Sequence, residues 1–250
     1  VTNLGGKVEA LLRELPDPEG ARLFYERVTA AEPRAAKAFA RDEGVLADAL
    51  ALAAWSPLLA TTLEQNPDYL QWLARERGSA RVRGAEELGE SLARFALTHT
   101  TLGPQVVLAR FRRRELLRVY LRDIRHAATL VETTEELSNL ADAVLRYALG
   151  HAQQELENLY GAPECADDRG RRMPATLAIV ALGKLGSREL NYSSDIDLLF
   201  LYSDDGETTG QGARGAVTNR EFFCKLAERV SRVVGHPSGE GAAYRVDLRL

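Results

Sequence analysis

Three carboxylates and one glycine-bearing turn carry the chemistry that this sequence is able to perform. Asp195 and Asp197 flank Ile196 at the start of an apolar run ending at Tyr202. Alternate side chains of a strand share a face, so the two carboxylates project together while Ile196 and Leu198 project from the other side. Carboxylates this close repel, and one of the two should have a raised pKa unless a cation is present. A divalent metal removes the conflict, and Mg2+ favours one or two carboxylates with waters and substrate phosphates. Asp247 lies between Val246 and Leu248 in a later apolar stretch. If that stretch is a neighbouring strand, its carboxylate completes a three-acid cluster, enough for a two-metal phosphoryl-transfer site.

The complementary part precedes the acids. Gly183-Lys184-Leu185-Gly186-Ser187 follows the apolar run 176–182 and is expected to lead into a short helical turn over 187–190. Glycine lets a backbone approach a phosphate closely, and N–H groups at a helix start point at anions. Metal on one side and N–H donors on the other would hold a nucleoside triphosphate or a phosphodiester. Each piece also has a plainer reading. An Asp-x-Asp at a strand end can be a cap or a solvated turn, a Gly-Ser an ordinary turn, and Asp247 a structural ion pair with Arg245 or Arg249. The combination is far more restrictive: strand, Gly-Ser, seven residues, Asp-apolar-Asp in a strand, then a distant apolar-Asp-apolar strand.

The elements that must position these residues change character along the chain. Residues 1–165 are rich in Ala, Leu, Arg and Glu, with few β-branched runs, and read as helical almost throughout. Asn66-Pro67 reads as an N-cap followed by proline at the first helical position. Thr133-Thr134-Glu135-Glu136 reads as a capping box opening a helix to about Tyr160. Leu46, Leu50 and Ala53, and Leu137, Leu140, Val144 and Leu145, recur at helical spacing. Trp55 and Trp72 are expected to anchor that helical core. Residues 161–174 are polar and aperiodic, marking a linker. Strands are expected at 176–182, 196–202 and 244–250, with a flexible loop over 203–217 and a helix opened by Thr218 and Glu221 to about Val234. The expected fold class is α+β: a mainly α-helical N-terminal region, 1–165, followed by an α/β unit, 175–250.

The pattern resembles the polymerase-β-type nucleotidyltransferase superfamily. Gly183-Lys-Leu-Gly-Ser-Arg-Glu-Leu-Asn-Tyr-Ser-Ser-Asp-Ile-Asp-Leu-Leu-Phe200 closely resembles the active-site segment of the glutamine synthetase adenylyltransferase/adenylyl-removing family. Tyr244-Arg-Val-Asp-Leu-Arg-Leu250 resembles its third-carboxylate strand, and Leu108 to Val119 with Leu137 to Asp142 look like the helices preceding its catalytic fold. That family carries two nucleotidyltransferase copies in one polypeptide and continues beyond the third acid, so the α/β unit is expected to be truncated at Leu250. Asn191 with Ser193-Ser194 looks more like the N-terminal, adenylyl-removing copy; the adding copy more often has Gly at the place of Asn191.

The resemblance implies an Mg2+-dependent enzyme of nitrogen metabolism with ATP, ADP and phosphate as substrates, glutamine synthetase as target and the PII signal protein as regulatory partner. It places metal on Asp195, Asp197 and Asp247, and phosphate or nucleotide contacts on Gly186, Ser187 and Ser194. Lys184 and Arg245 are the weaker anion-contact candidates. Other readings are the adenylyl-adding copy, a related uridylyltransferase, and a non-catalytic docking module that keeps the fold. The formal net charge of −4 argues against a protein that coats nucleic acid through bulk charge. No apolar run approaches the roughly 20 residues that span a bilayer. Two cysteines, Cys165 and Cys224, without Cys-x-x-Cys spacing suggest neither disulfide nor zinc and fit a cytoplasmic location. His99, His126, His151 and His236 lack ligand spacing. Arg110, Arg114, Arg118, Arg122 and Arg125 form a stripe that reads as a solvated face with local pairs such as Glu115–Arg118, or as contact with an acidic partner or phosphates.

Overall fold

Short helices opened by proline or an acidic cap build the first part of the chain in the computed structural model, which describes residues 4–77, 81–193, 195–239 and 241–248. These are α1 (Leu4–Leu12), α2 (Pro18–Ala31), α3 (Pro33–Arg41), α4 (Glu43–Trp55), α5 (Pro57–Gln65) and α6 (Tyr69–Glu76). Pro18, Pro33 and Pro57 start their helices, where a missing N–H costs nothing. Asp17, Glu32 and Asp42 accept N–H groups of the first turns of α2, α3 and α4. Helix α4 is apolar around most of its circumference, with Val45, Leu46, Ala49, Leu50 and Leu52 buried, and such a helix belongs in a core. Helices α1, α2, α3, α5 and α6 all pack on it. Its buried acid, Asp48, is 1% exposed and accepts from Arg77 Nε at 2.9 Å, while Arg125 pairs with its other oxygen. Burial holds the Asp48 carboxyl above its ordinary pKa despite the pull of both arginines.

Three further helices follow: α7 (Ala85–Leu97), α8 (Pro104–Ile124) and α9 (Leu130–Tyr160). The chain packs as two units. Val1–Val82 with Arg113–Thr133 makes the first, and Arg83–Arg112 with Thr134–Leu250 the second, so α8 and α9 contribute residues to both.

The structure corrects several sequence readings here. Helix α9 begins at Leu130, not at 133: the capping box is Thr129 and Glu132, with Thr129 N–H donating to Glu132 at 2.7 Å and Glu132 N–H to Thr129 Oγ1 at 3.2 Å. Asn66 ends α5 instead of opening a helix; its N–H and its side-chain amide both bond the Thr62 carbonyl, and α6 starts at Tyr69. Trp55 is 57% exposed, because it is the last residue of α4. Nor is the arginine stripe a solvated face. Arg118 and Arg122 are 3% and 6% exposed, and Glu115, fully buried, pairs with Arg114 at 2.8 Å and Arg118 at 3.6 Å. Arg114 also lies 4.8 Å over the Trp72 ring.

After α9 come β1 (Pro163–Ala166), β2 (Arg172–Pro174), β3 (Leu177–Leu182), α10 (Gly183–Gly186), β4 (Asp195–Tyr202), β5 (Glu207–Thr208), α11 (Asn219–Gly235) and β6 (Arg245–Leu248). The expected linker 161–174 holds a hairpin, β1 against β2, and the expected loop 203–217 holds β5, which pairs antiparallel with β1. The hairpin turn is set by Asp167, whose carboxylate accepts the N–H groups of Arg169 at 2.9 Å and Arg171 at 2.8 Å. The second sheet has the order β3-β4-β6, antiparallel between β3 and β4 and parallel between β4 and β6. Parallel neighbours need a crossover, and α11 supplies it: Thr218 caps its start, and Phe222, Leu226, Val230 and Val233 bury its inner face. The architecture is therefore α+β, helical first and sheet-bearing second. Among the described residues no helix is long and apolar enough to cross a membrane.

Candidate active site

Strand register decides where the three acids fall. In β4 Ile196 and Leu198 are 1% and 0% exposed, and Asp195 and Asp197 occupy the opposite face. Strand β6 lies beside β4, with Asp195 opposite Arg245 and Asp197 opposite Asp247. The sheet face thus carries two rows, a carboxylate beside a guanidinium and a carboxylate beside a carboxylate.

Arg245 takes up the first carboxylate. Its Nε and Nη2 both donate to Asp195, and Ser193 Oγ donates to the same carboxylate at 3.1 Å. The raised pKa expected for one of the paired acids is not what Asp195 shows. The Arg245 hydrogen bonds hold its carboxyl below the usual value against the opposing effect of burial, helped by Ser193 and by the charge of Lys184. Asn191 stands behind this arrangement, its Oδ1 accepting the Ser193 N–H at 3.1 Å.

The turn before the acids differs from its expected form. The helical turn is Gly183–Gly186, and Ser187 ends it instead of starting one. The Ser187 N–H is spent on the Gly183 carbonyl at 3.0 Å, and its exposed hydroxyl lies within hydrogen-bond distance of Gly183 O, Lys184 O and Glu189. Gly186 has a packing reason to be glycine, since a Cβ there would stand 2.5 Å from the Ala181 carbonyl oxygen. Lys184 is exposed on the same turn. Ser194 lies outside the described residues.

Gly183 is constrained by its backbone as well as by space. Its φ is +55°, and a Cβ would stand 2.7 Å from Asp197 Oδ2. A left-handed conformation costs an L-residue roughly 1–2 kcal/mol. Gly183→Ala is therefore expected to destabilise the sheet-bearing unit by about that amount and to displace the Asp197 carboxylate. A thermal melt within 1 °C of the parent's, together with unchanged activity, would refute this placement.

Two arginines that the sequence reading passed over hold the surrounding segment. Arg188, with φ +63°, donates to Glu135 at 2.9 Å and also bonds Asn139 and Asp142, three residues along one face of α9. Arg112 donates to the Tyr192 carbonyl at 3.5 Å and lies 4.6 Å over the ring of Tyr244, which is 1% exposed. Burial pushes the Tyr244 phenol up despite Arg112. The spacing of four and three residues between Glu135, Asn139 and Asp142, which puts them on one face of α9, was the available signal.

Among the described residues no three His, Cys, Asp or Glu side chains converge as they stand. Asp195 is turned onto Arg245, while the donor set itself, carboxylate oxygens on neighbouring strands, has the hard character that suits Mg2+.

These features define an α+β protein whose mixed sheet presents acids from adjacent strands beside a glycine turn. The chain belongs to the glutamate-ammonia ligase adenylyltransferase family, whose profile matches residues 46–250. It is 43% identical over 145 residues to a bifunctional glutamine synthetase adenylyltransferase/adenylyl-removing enzyme of Nitrosococcus oceani, covering 58% of this chain and 14% of that protein. Proteins of the same description from Burkholderia pseudomallei and Mannheimia haemolytica are 45% identical over 129 residues and 37% identical over 191. Those alignments cover 52% and 76% of this chain but 13% and 19% of the relatives, so the chain spans under a fifth of the proteins it matches.

Proposed function

We propose that this chain carries the adenylyl-removing site of a glutamine synthetase-regulating enzyme, with the PII signal protein as regulatory partner. The reading is supported above all by the register that sets Asp197 opposite Asp247, two residues from Asp195 on the same sheet face. The residues to hold Mg2+ are Asp195, Asp197 and Asp247; bound there, the metal supplies charge neutralisation at the phosphoryl oxygens. Arg245 neutralises Asp195 in its place, and release of that ion pair frees a guanidinium for phosphate. The charge of Lys184 bears on Asp195, the Ser187 hydroxyl stands at the end of the same glycine turn, and Gly186 keeps that turn close to the strand.

Phosphate oxygen attacks the adenylyl phosphorus, the bond from phosphorus to tyrosine oxygen breaks, and ADP and tyrosine leave. Tyrosine, with a phenol pKa of about 10, leaves without a strong general acid. The chain's task is to orient two anions and balance their charge. Asn191, at a place where the adding copy more often has Gly, favours the removing copy by resemblance; its side chain holds the Ser193 N–H beside Asp195.

The test incubates the protein with adenylylated glutamine synthetase, phosphate and Mg2+ and measures ADP, with a second reaction containing ATP and unmodified glutamine synthetase. ADP release abolished by EDTA is expected. Adenylylation in the second reaction alone would make this the adding copy. Inactivity in both, with glutamine synthetase bound equally well in EDTA, would make it a docking module.

A further inference from the structure

The helical unit holds a cleft of about 720 Å3 between α3 and α6, lined by none of the residues placed in the reaction above. Its rim is basic. Arg34, Lys37 and Arg41 lie at spacings of three and four residues, hence on one face of α3, and Arg75 reaches it from α6. All four are exposed, and none forms an ion pair among the described residues. The acid that borders the cleft, Asp42, is already engaged: its carboxylate accepts the N–H groups of Gly44 at 2.9 Å and Val45 at 3.1 Å and pairs with Arg77 at 3.2 Å. The floor is apolar, with Val45 and Leu70 only 4% and 1% exposed. Four uncompensated cations around one opening repel each other, in a chain whose net charge is −4.

We propose that this cleft is a binding site for a small, multiply phosphorylated anion. Its volume falls in the range of small-molecule sites, roughly 300–1,000 Å3. Three cations spread over about 10 Å of helix suit a ligand with several adjacent charges better than a single phosphate. Three of the four are arginines, whose planar forks match phosphate oxygens bidentately. The apolar floor accommodates a flat, uncharged group attached to those phosphates. Occupation would relieve the repulsion among the four side chains, so the ligand binds the folded unit and stabilises it.

The probe is inorganic tripolyphosphate, titrated calorimetrically into the protein at low salt in EDTA, which keeps metal from the carboxylates. We expect saturable binding that weakens with salt and a raised melting temperature. In Arg34→Glu/Arg41→Glu, and separately in Lys37→Ala/Arg75→Ala, the dissociation constant should rise at least about tenfold, as expected when charge-assisted bonds are lost. Asp195→Asn/Asp197→Asn should bind as the parent does, which separates this site from the proposed reaction. Absence of saturable binding, or equal binding by both cleft variants, overturns the proposal. So does displacement of tripolyphosphate by hexaglutamate at equal or lower concentration, which would make the cleft a dock for an acidic polypeptide.

Discussion

Asp197→Asn should lower phosphorolysis of adenylylated glutamine synthetase by about 10²–10³-fold while leaving the fold intact. Loss of one preorganised partner of the reacting charge costs roughly 10²–10³ in rate, and Asp197 would contact both the metal and, through it, the transferred phosphoryl group. Stability should move by about 1 kcal/mol or less, because the substitution keeps the side chain's shape and removes a like-charge opposition to Asp247 on the neighbouring strand. Asp197 is a cleaner position than Asp195 for this purpose. Asparagine at 195 would also release Arg245 and Ser193, so that a rate loss would mix two causes. The measurement is ADP release under saturating phosphate, with a thermal melt of the same sample. Activity within tenfold of the parent would remove Asp197 from the reaction, and with it the assignment of this sheet face as the active site.

The acid-bearing sheet was legible because strand chemistry is local. Period-two alternation put Ile196 and Leu198 on one face and Asp195 and Asp197 on the other, and an apolar run with one acid marked β6. What placed β6 beside β4 is the parallel crossover through α11, whose capping residues Thr218 and Glu221 were also readable. The partner of Asp195 was not readable. Arg245 competes with metal for that carboxylate only once the register is fixed, and a one-residue slip would have pointed it at the opposite face. The hairpin β1–β2 escaped because its strands are short and mostly exposed, so no apolar alternation marks them, and its turn rests on Asp167 bonding back to Arg169 and Arg171. Trp55 shows the converse failure: a large apolar residue was taken for core, whereas its place at the end of α4 leaves it exposed. The arginines of α8 were misread for a related reason. Periodicity showed which side chains share a face and paired Glu115 with Arg118, but not that Glu115, Arg118 and Arg122 are buried.

The largest stability effect expected in the sheet-bearing unit falls on a residue outside the reaction. Tyr244 precedes Arg245 and is almost wholly buried; its N–H donates to the Val234 carbonyl at 3.1 Å, tying the entry of β6 to the end of α11. Its ring lies under Arg112, itself 8% exposed, so a desolvated cation depends on that aromatic face. Truncating a buried aromatic side chain to alanine costs about 3–5 kcal/mol in transfer and cavity terms, and Arg112 would also lose its partner. Tyr244→Ala should therefore lower the melting temperature of this unit by roughly 10 °C. Tyr244→Phe keeps the ring and removes only the hydroxyl that Arg112 contacts, so its cost should be nearer 1 kcal/mol. Because β6 carries Asp247, the alanine variant should lose activity as temperature rises, well before the phenylalanine variant does. Equal melting of Tyr244→Ala and the parent would mean that β6 is held by its pairing with β4 alone. The anchoring of the third acid would then have to be sought in the strand itself, not in the arginine beneath it.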